Sequence, residues 1–136
     1  MIAIIDYDAG NIKSVEKAIL SLGEQVVITR DRDEILAADK VILPGVGAFG
    51  DAMKKIRNYG LEEVIHEVVN KGTPFLGICL GLQLLFEGSD ESQGVEGLHL
   101  LDGEILHIPE SGDLKIPHIG WNALHFTRES NLFKYI

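Results

Sequence analysis

Short apolar runs alternate with amphipathic stretches along the first 87 residues of the chain. Four runs have the composition of β-strands, at residues 2–5, 25–29, 40–43 and 75–78. Apolar residues recur at helical spacing over residues 12–22, 34–38, 50–58 and 61–71 and again after residue 79. Continuous apolar strands are typical of a parallel sheet that is covered on both faces. The alternation therefore predicts an α/β fold in which right-handed crossovers place helices on both faces of a mainly parallel sheet.

The pattern changes after Glu87. Residues 88–97 are polar and contain glycine, which is typical of a loop. Two later stretches, residues 98–108 and 119–126, have strand-like composition, and a turn-rich stretch around residues 111–113 separates them. This part of the chain predicts a β-rich excursion after residue 95, added to the α/β body.

The only cysteine, Cys79, lies where the fourth apolar run meets a helical pattern. Gly77 and Gly81 flank it at the spacing of a strand-to-helix nucleophile elbow. At such a turn the nucleophile has a strained backbone, and flanking side chains would collide with the adjacent strand and helix. The N-terminus of the following helix can activate a thiol and bind an oxyanion. A lone cysteine is most often a buried structural residue, but the two glycines favour a nucleophile.

A glycine-rich segment follows the third predicted strand. Residues 45–50 fit the G-x-G-x-x-G pattern of dinucleotide-binding loops and precede a helix. That fingerprint normally follows the first strand of its unit, however, and not the third. The segment can also be a loop whose backbone N–H groups face the Cys79 thiol across the carboxyl edge of the sheet, or simply a tight turn. The nucleophile elbow in the same chain favours oxyanion binding over cofactor binding.

Length and charge narrow the classes of partner. The chain has 136 residues, of which 46% are hydrophobic, which is enough for one domain with a core. A net charge of −9 argues against nucleic acid and anionic membrane surfaces as partners. One cysteine cannot form an intramolecular disulfide, and no stretch reaches the ~18 apolar residues of a membrane span. These features predict a cytoplasmic protein.

Three motifs resemble those of the class I glutamine amidotransferases. They are Pro44-Gly45-Val46-Gly47, Gly77-Ile78-Cys79-Leu80-Gly81 with Gln83, and Pro117-His118-Ile119-Gly120-Trp121-Asn122. Residues 45–50 and 117–122 narrow the similarity to the glutaminase subunits of imidazole glycerol phosphate synthase, from histidine biosynthesis. The similarity extends along the whole chain. It implies the flavodoxin-like fold of this family, and it implies no cofactor and no metal.

The resemblance implies that the Cys79 thiolate attacks the side-chain amide of glutamine. The attack releases ammonia and leaves a glutamyl thioester, which water hydrolyses to glutamate. Backbone N–H groups at Val46 and Leu80 would bind the oxyanion of the tetrahedral intermediate. The positions that would hold glutamine are Gly47, Gln83 and Glu91.

The resemblance also implies a partner subunit. Ammonia would pass to a separate (β/α)₈-barrel cyclase, which joins it to a phosphoribosyl-bearing intermediate. The surface expected to dock this cyclase comprises Gly10, Asn11, Pro117, His118 and Trp121. Trp is enriched at binding hot spots. The alternative for Trp121 is a core position in the β-rich excursion.

One part of the family pattern does not occur in these 136 residues. A thiol nucleophile needs a general base, and the family has a His-Pro-Glu motif near its C-terminus. His107 and Glu110 are the nearest imitation, but residues three apart on a continuing strand point to opposite faces. We therefore expect residues 1–136 to form one glutamine amidotransferase domain that lacks the C-terminal part with this motif. We also expect the chain by itself to be inactive.

Other classes of function stay open at this stage. A catalytically inactive binding module with the same fold would not react with glutamine analogues. A nucleotide-binding domain that uses residues 45–50 would melt at a higher temperature with dinucleotides. Among enzymes, the glutaminases of anthranilate, GMP and carbamoyl-phosphate synthesis share the elbow, but residues 117–122 argue against them.

Overall fold

A four-stranded parallel sheet forms the centre of the protein. The computed structural model describes residues 1–110, 112 and 115–134. The strands are β1 (Ile2–Ile5), β2 (Val26–Thr29), β3 (Lys40–Gly45) and β4 (Phe75–Cys79), in the spatial order β2-β1-β3-β4. Every neighbouring pair is parallel. This arrangement confirms the predicted parallel sheet, and each strand begins and ends within two residues of its predicted bounds.

Four α-helices lie between these strands along the described chain. They are α1 (Ile12–Ser21), α2 (Arg32–Ala37), α3 (Phe49–Asn58) and α4 (Leu61–Asn70). The start of α2 is set by Asp31, whose side chain accepts a hydrogen bond from the Glu34 N–H at 3.0 Å. None of the helices in the described part of the chain is long and apolar enough to cross a membrane.

The helices cover both faces of the sheet, as the continuous apolar strands predict. Alternate residues of a strand point to opposite faces, so each strand supplies two cores. One face packs against α1 and contains the buried residues Ile2, Ile4 and Ile42. The other face packs against α2, α3 and α4 and contains Ala3, Ile5, Val41 and Leu43. All four residues of β1 are buried because both of its faces are covered.

The segment after Glu87 differs from its prediction. The predicted loop over residues 88–97 contains a strand, β5 (Gly88–Ser89), which pairs in parallel with β6 (Glu104–Ile105). The predicted strand over residues 98–108 is therefore wrong except at β6. The N–H groups of Leu98 and Leu100 instead donate to the carbonyls of Leu84 and Leu85, both at 2.8 Å. This stretch packs against the turn after β4 and does not join a sheet.

The predicted strand over residues 119–126 is also wrong. No strand is assigned there, and Ile119 is 89% exposed and Leu124 72% exposed. An apolar pattern alone does not make a strand, because the backbone also needs a neighbouring strand to pair with. The predicted turn at residues 111–113 lies outside the described residues except for Gly112, which has a φ of 55°.

Candidate active site

Cys79 occupies a strained turn at the carboxyl edge of the sheet. It is the last residue of β4 and the residue before the short helix α5 (Leu80–Gln83). Its φ of 55° and ψ of −118° lie in a region that non-glycine residues rarely adopt. Such a conformation costs about 1–3 kcal/mol and is found mainly at functional sites. The thiol is exposed and unpaired, so the structure confirms the strained elbow and excludes a buried structural cysteine.

The two flanking glycines are required by close backbone contacts. A Cβ at Gly81 would lie 1.9 Å from the carbonyl oxygen of Leu43 in β3. A Cβ at Gly77 would lie 2.7 Å from the Leu82 Cα in α5. Non-bonded carbon atoms pack at about 3.5–4.0 Å, so neither position accepts a side chain. This confirms the predicted collisions with the adjacent strand and helix.

The helix after Cys79 is shorter than the apolar pattern suggests. Helix α5 has four residues, and the chain leaves it with successive turns at Leu84, Leu85 and Phe86. A macrodipole sums over aligned peptide units, so one turn supplies little of it. The electrostatic contribution expected from this helix is therefore reduced to the N–H groups of its first turn.

The β3–α3 loop (residues 46–48) lies beside the elbow. Strand register places Gly45, at the end of β3, opposite Cys79. A Cβ at Gly45 would lie 2.6 Å from the Gly81 nitrogen and 2.9 Å from the Leu80 Cβ, so the two backbones are in close contact. Gly47 has a φ of 96°, which favours glycine at this turn. The tertiary structure thus brings Val46 and Leu80, the predicted oxyanion residues, to the same edge of the sheet.

A cavity of about 310 Å³ opens next to the thiol. Its lining includes five of the predicted site residues, namely Cys79, Leu80, Gly47, Gln83 and Glu91. The sixth, Val46, lines an adjacent cavity of about 190 Å³ that also includes Gly47. A more voluminous cavity of about 890 Å³ lies along residues 126–134, but it contains none of the predicted catalytic residues. The nucleophile and the proposed glutamine-holding residues therefore share one cavity.

The N-terminus of α3 is occupied by side chains from the segment after β5. The Phe49 N–H donates to the Glu91 carboxylate at 3.3 Å, and the Gly50 N–H donates to the Ser92 hydroxyl at 3.0 Å. A dinucleotide-binding loop needs this helix end for the pyrophosphate. The protein's own carboxylate is there instead, which argues against a dinucleotide at residues 45–50. The same contacts hold Glu91 in the wall of the Cys79 cavity.

An Asp90–His107 pair in the same cavity was missed by sequence reasoning. The His107 N–H donates to one Asp90 oxygen at 2.8 Å, and its ring Nδ1 lies 2.6 Å from the other. The hydrogen bond from the His107 backbone N–H has the larger effect and, together with the contact of the His107 ring, holds the pKa of Asp90 below its usual range. Spacing along the chain suggests only Glu110, three residues away, as a partner of His107. The partner is brought near by the pairing of Ser89 with Ile105, a two-residue ladder without a recognisable pattern.

The residues expected to dock a partner are exposed. Gly10 and Asn11 lie at the carboxyl edge of the sheet, just before α1, and Asn11 has a φ of 65°. Pro117, His118 and Trp121 are exposed too, and the His118 ring lies 2.8 Å from the Asn122 amide. Trp121 is fully exposed, so its alternative as a core residue is wrong.

The comparison with family models decides the class of protein. The model "Glutamine amidotransferase class-I" matches residues 3–135. The chain belongs to the class I glutamine amidotransferase family. The strained turn at Cys79 and the close contacts at Gly77 and Gly81 are therefore structural features of a class I amidotransferase chain.

Curated relatives of this amidotransferase chain include three proteins named imidazole glycerol phosphate synthase subunit HisH. That of Moorella thermoacetica is 53% identical over 135 residues, covering 99% of this chain and 63% of the relative. That of Oceanobacillus iheyensis is 53% identical over 133 residues, covering 98% and 65%. That of Methanocaldococcus jannaschii is 46% identical over 136 residues, covering 100% and 67%. The chain thus spans about two thirds of the length of these relatives.

Solved structures share the fold. A glutamine amidotransferase crystal structure matches with a TM-score of 0.67 and 20% identity, over 79% of this chain and 57% of that one. A putative peptidase E from Listeria monocytogenes matches with a TM-score of 0.60 and 14% identity, over 74% and 62%. These similarities support the class I amidotransferase fold of the chain.

Proposed function

We propose that this protein is the glutaminase subunit of imidazole glycerol phosphate synthase. The observation that carries the proposal is the exposed Cys79 thiol at a strained elbow, beside a cavity that also contains Gln83 and Glu91. The identity to HisH proteins over nearly the whole chain supports the narrower assignment within the family. The protein would release ammonia from glutamine for a cyclase partner in histidine biosynthesis.

The proposed reaction begins when the Cys79 thiolate attacks the amide carbon of glutamine. A sulfur–carbon bond forms, and the carbonyl oxygen takes up the electron pair as an oxyanion. The backbone N–H groups of Val46 and Leu80 would stabilise this charge, because preorganised donors act more strongly there than in water. The intermediate then collapses: the carbon–nitrogen bond breaks, and the amide nitrogen takes up the proton that the thiol lost and leaves as ammonia. Water hydrolyses the thioester to glutamate and regenerates the Cys79 thiol. Glu91, fixed at the α3 N-terminus, would help to hold the amino-acid end of the substrate.

The decisive experiment follows the amide nitrogen of glutamine. The protein is prepared with every residue that its open reading frame encodes and mixed with a (β/α)₈-barrel cyclase and its phosphoribosyl substrate. With [amide-¹⁵N]glutamine, we expect one glutamate for each ¹⁵N that enters the imidazole product. Absence of glutamate would favour a catalytically inactive binding module. If glutamate forms but the ¹⁵N enters only the product of an anthranilate, GMP or carbamoyl-phosphate synthase supplied in place of the cyclase, the protein would be one of those glutaminases.

We further propose that residues 117–122, together with Gly10 and Asn11, dock the cyclase barrel. The full exposure of Trp121 supports this, because a partner that covers a large aromatic side chain removes much apolar surface from contact with water. We expect Trp121→Ala to raise the Kd for the cyclase by about tenfold or more, measured by isothermal titration calorimetry.

The matched control for this prediction is Leu22→Ala. Leu22 is 76% exposed at the end of α1, which runs from the carboxyl edge of the sheet back towards the opposite edge. Its removal also deletes an exposed apolar side chain, but one far from the proposed surface, so the Kd should stay within about twofold of wild type. Equal affinities of Trp121→Ala and Leu22→Ala for the cyclase would show that Trp121 is not a docking residue.

A further inference from the structure

A buried tyrosine hydroxyl lies behind the proposed catalytic site and has no role in the reaction described above. Tyr7 follows the end of β1 by two residues and is 2% exposed. Its hydroxyl donates a hydrogen bond to the Pro44 carbonyl oxygen at 2.7 Å. Pro44 lies in β3, two residues before Val46 and the β3–α3 loop. The bond therefore reaches the segment that leads into the proposed oxyanion residues.

This hydrogen bond is made where strand pairing has ended on one side of β3. The ladder between β1 and β3 ends at Ile4 opposite Ile42, whereas the ladder between β3 and β4 continues to Gly45 opposite Cys79. The end of β3 therefore has a strand neighbour only at β4. The Tyr7 side chain supplies a hydrogen bond at Pro44, beyond the point where β1 still pairs.

The fit between Tyr7 and the end of β3 leaves no spare room. A Cβ at Gly45 would lie 2.8 Å from the Tyr7 hydroxyl oxygen, and the same Cβ would also lie too close to the Gly81 nitrogen. The space where a Gly45 side chain would begin is thus filled by the Tyr7 hydroxyl together with the elbow residues Leu80 and Gly81. A shift of the Pro44 carbonyl would move Gly45 and, with it, the N–H group of Val46.

The hydroxyl remains a donor at every physiological pH. Burial, and secondarily the charge of the nearby Cys79 sulfur, raise the pKa of Tyr7 to about 12. The phenol therefore keeps its proton when the thiolate forms. It therefore has a proton to donate to Pro44 while the thiolate is present.

We propose that Tyr7 is a positioning residue for the oxyanion site, whose hydroxyl holds the Pro44 carbonyl so that the Val46 N–H faces the Cys79 elbow. The inference rests on the proposed glutaminase function and adds to it. Tyr7 does not line the Cys79 cavity, and its hydroxyl would act through the backbone of residues 44–46. Its loss should weaken stabilisation of the transition state more than binding of glutamine, because the oxyanion exists only after attack.

The test variant is Tyr7→Phe, which keeps the buried ring and removes the donor. In the protein with all encoded residues, we expect kcat for glutamine to fall by about 10- to 100-fold, less than the ~10²–10³-fold loss of a direct oxyanion donor. KM should stay within about twofold, because the substrate contacts are unchanged. The matched control is Tyr59→Phe, which removes the hydroxyl of an exposed tyrosine. That hydroxyl bonds to Asp8, and neither residue lines the Cys79 cavity. It should retain wild-type kcat.

Two labels of Cys79 separate positioning from general damage to the fold. Iodoacetamide alkylates a thiolate without an oxyanion intermediate, so its rate with Tyr7→Phe should match wild type. The electrophilic glutamine analogue 6-diazo-5-oxo-L-norleucine places a carbonyl oxygen in the oxyanion site, so its rate should fall with kcat. Replacement of Tyr7 by 4-aminophenylalanine, which restores an N–H donor, should recover most of the lost kcat.

Several results would overturn the proposal. A kcat for Tyr7→Phe within twofold of wild type would show that the Pro44 hydrogen bond is not needed for catalysis. An equal loss of both labelling rates, or no recovery with 4-aminophenylalanine, would show that Tyr7 only supports packing. If wild-type protein with its cyclase does not hydrolyse glutamine, the proposed function fails and the role of Tyr7 fails with it. An active wild type with an unaffected Tyr7→Phe variant refutes the role of Tyr7 alone.

Discussion

Cys79→Ser should lower the rate of glutamine hydrolysis by at least ~10³-fold, because it removes the proposed nucleophile while nearly keeping its size. The elbow that holds Cys79 at a φ of 55° should be preserved in the variant. A serine hydroxyl remains protonated at neutral pH and is a far weaker nucleophile than a thiolate unless a base is matched to it. The measurement is steady-state glutamate formation at saturating glutamine, with the fully encoded protein and its cyclase.

The same variant supplies its own control through ammonia. Under the proposed function the cyclase uses ammonia at its own site, so synthesis from added ammonium salt should proceed at the wild-type rate with Cys79→Ser. Loss of both activities would point to failed assembly instead of failed chemistry. Glutamine hydrolysis above a tenth of the wild-type rate would show that Cys79 is not the nucleophile.

Gly81→Ala should reduce the free energy of unfolding by about 3 kcal/mol or more, because overpacking against an immovable backbone lies at the severe end of core substitutions. The added Cβ would lie 1.9 Å from the Leu43 oxygen and 2.8 Å from the Leu43 carbonyl carbon. Both atoms belong to β3, which pairs with β1 on one side and β4 on the other. Urea unfolding followed by far-ultraviolet circular dichroism measures the change.

Gly88→Ala is the matched glycine control. A Cβ at Gly88 would meet its nearest atom, the Val95 oxygen, at 3.7 Å, which is ordinary contact. We expect the free energy of unfolding of this variant to stay within about 0.5 kcal/mol of wild type. If Gly81→Ala and Gly88→Ala unfold at the same urea concentration, the close approach of the elbow to β3 does not constrain the sequence.

The sheet and its helices were predictable because their signals are local. The run at β1 is apolar at every position, and all four of its residues are buried between two layers of helices. The amphipathic stretches likewise predict α3 and α4 to within about one residue at each end. Periodic burial of this kind depends on side chains close in sequence, so the pattern is visible without knowledge of the fold.

The segment after Glu87 shows where local signals fail. Residues 119–126 have the apolar content of a strand, yet Ile119 and Leu124 are exposed and no strand forms. In contrast, Gly88 and Ser89 do form a strand although their composition is typical of a loop. A strand forms only where its backbone can pair with another strand, which is often distant in the sequence, and the composition of a segment does not indicate where that strand is.

The sequence by itself determined the elbow at Cys79, because two glycines at this spacing mark the turn and the contacts that exclude a side chain at Gly77 lie within five residues of it. The contact that excludes a side chain at Gly81 is with Leu43 in β3 and was visible only in the tertiary structure. It also determined that the strands run parallel, which places the end of β3 and Cys79 at the same edge of the sheet. Only the tertiary structure decided what surrounds the thiol. The Asp90–His107 pair and the Tyr7 hydrogen bond to Pro44 join residues 17 and 37 positions apart. Such contacts are set by strand register and packing, which bring together side chains that no spacing along the chain connects.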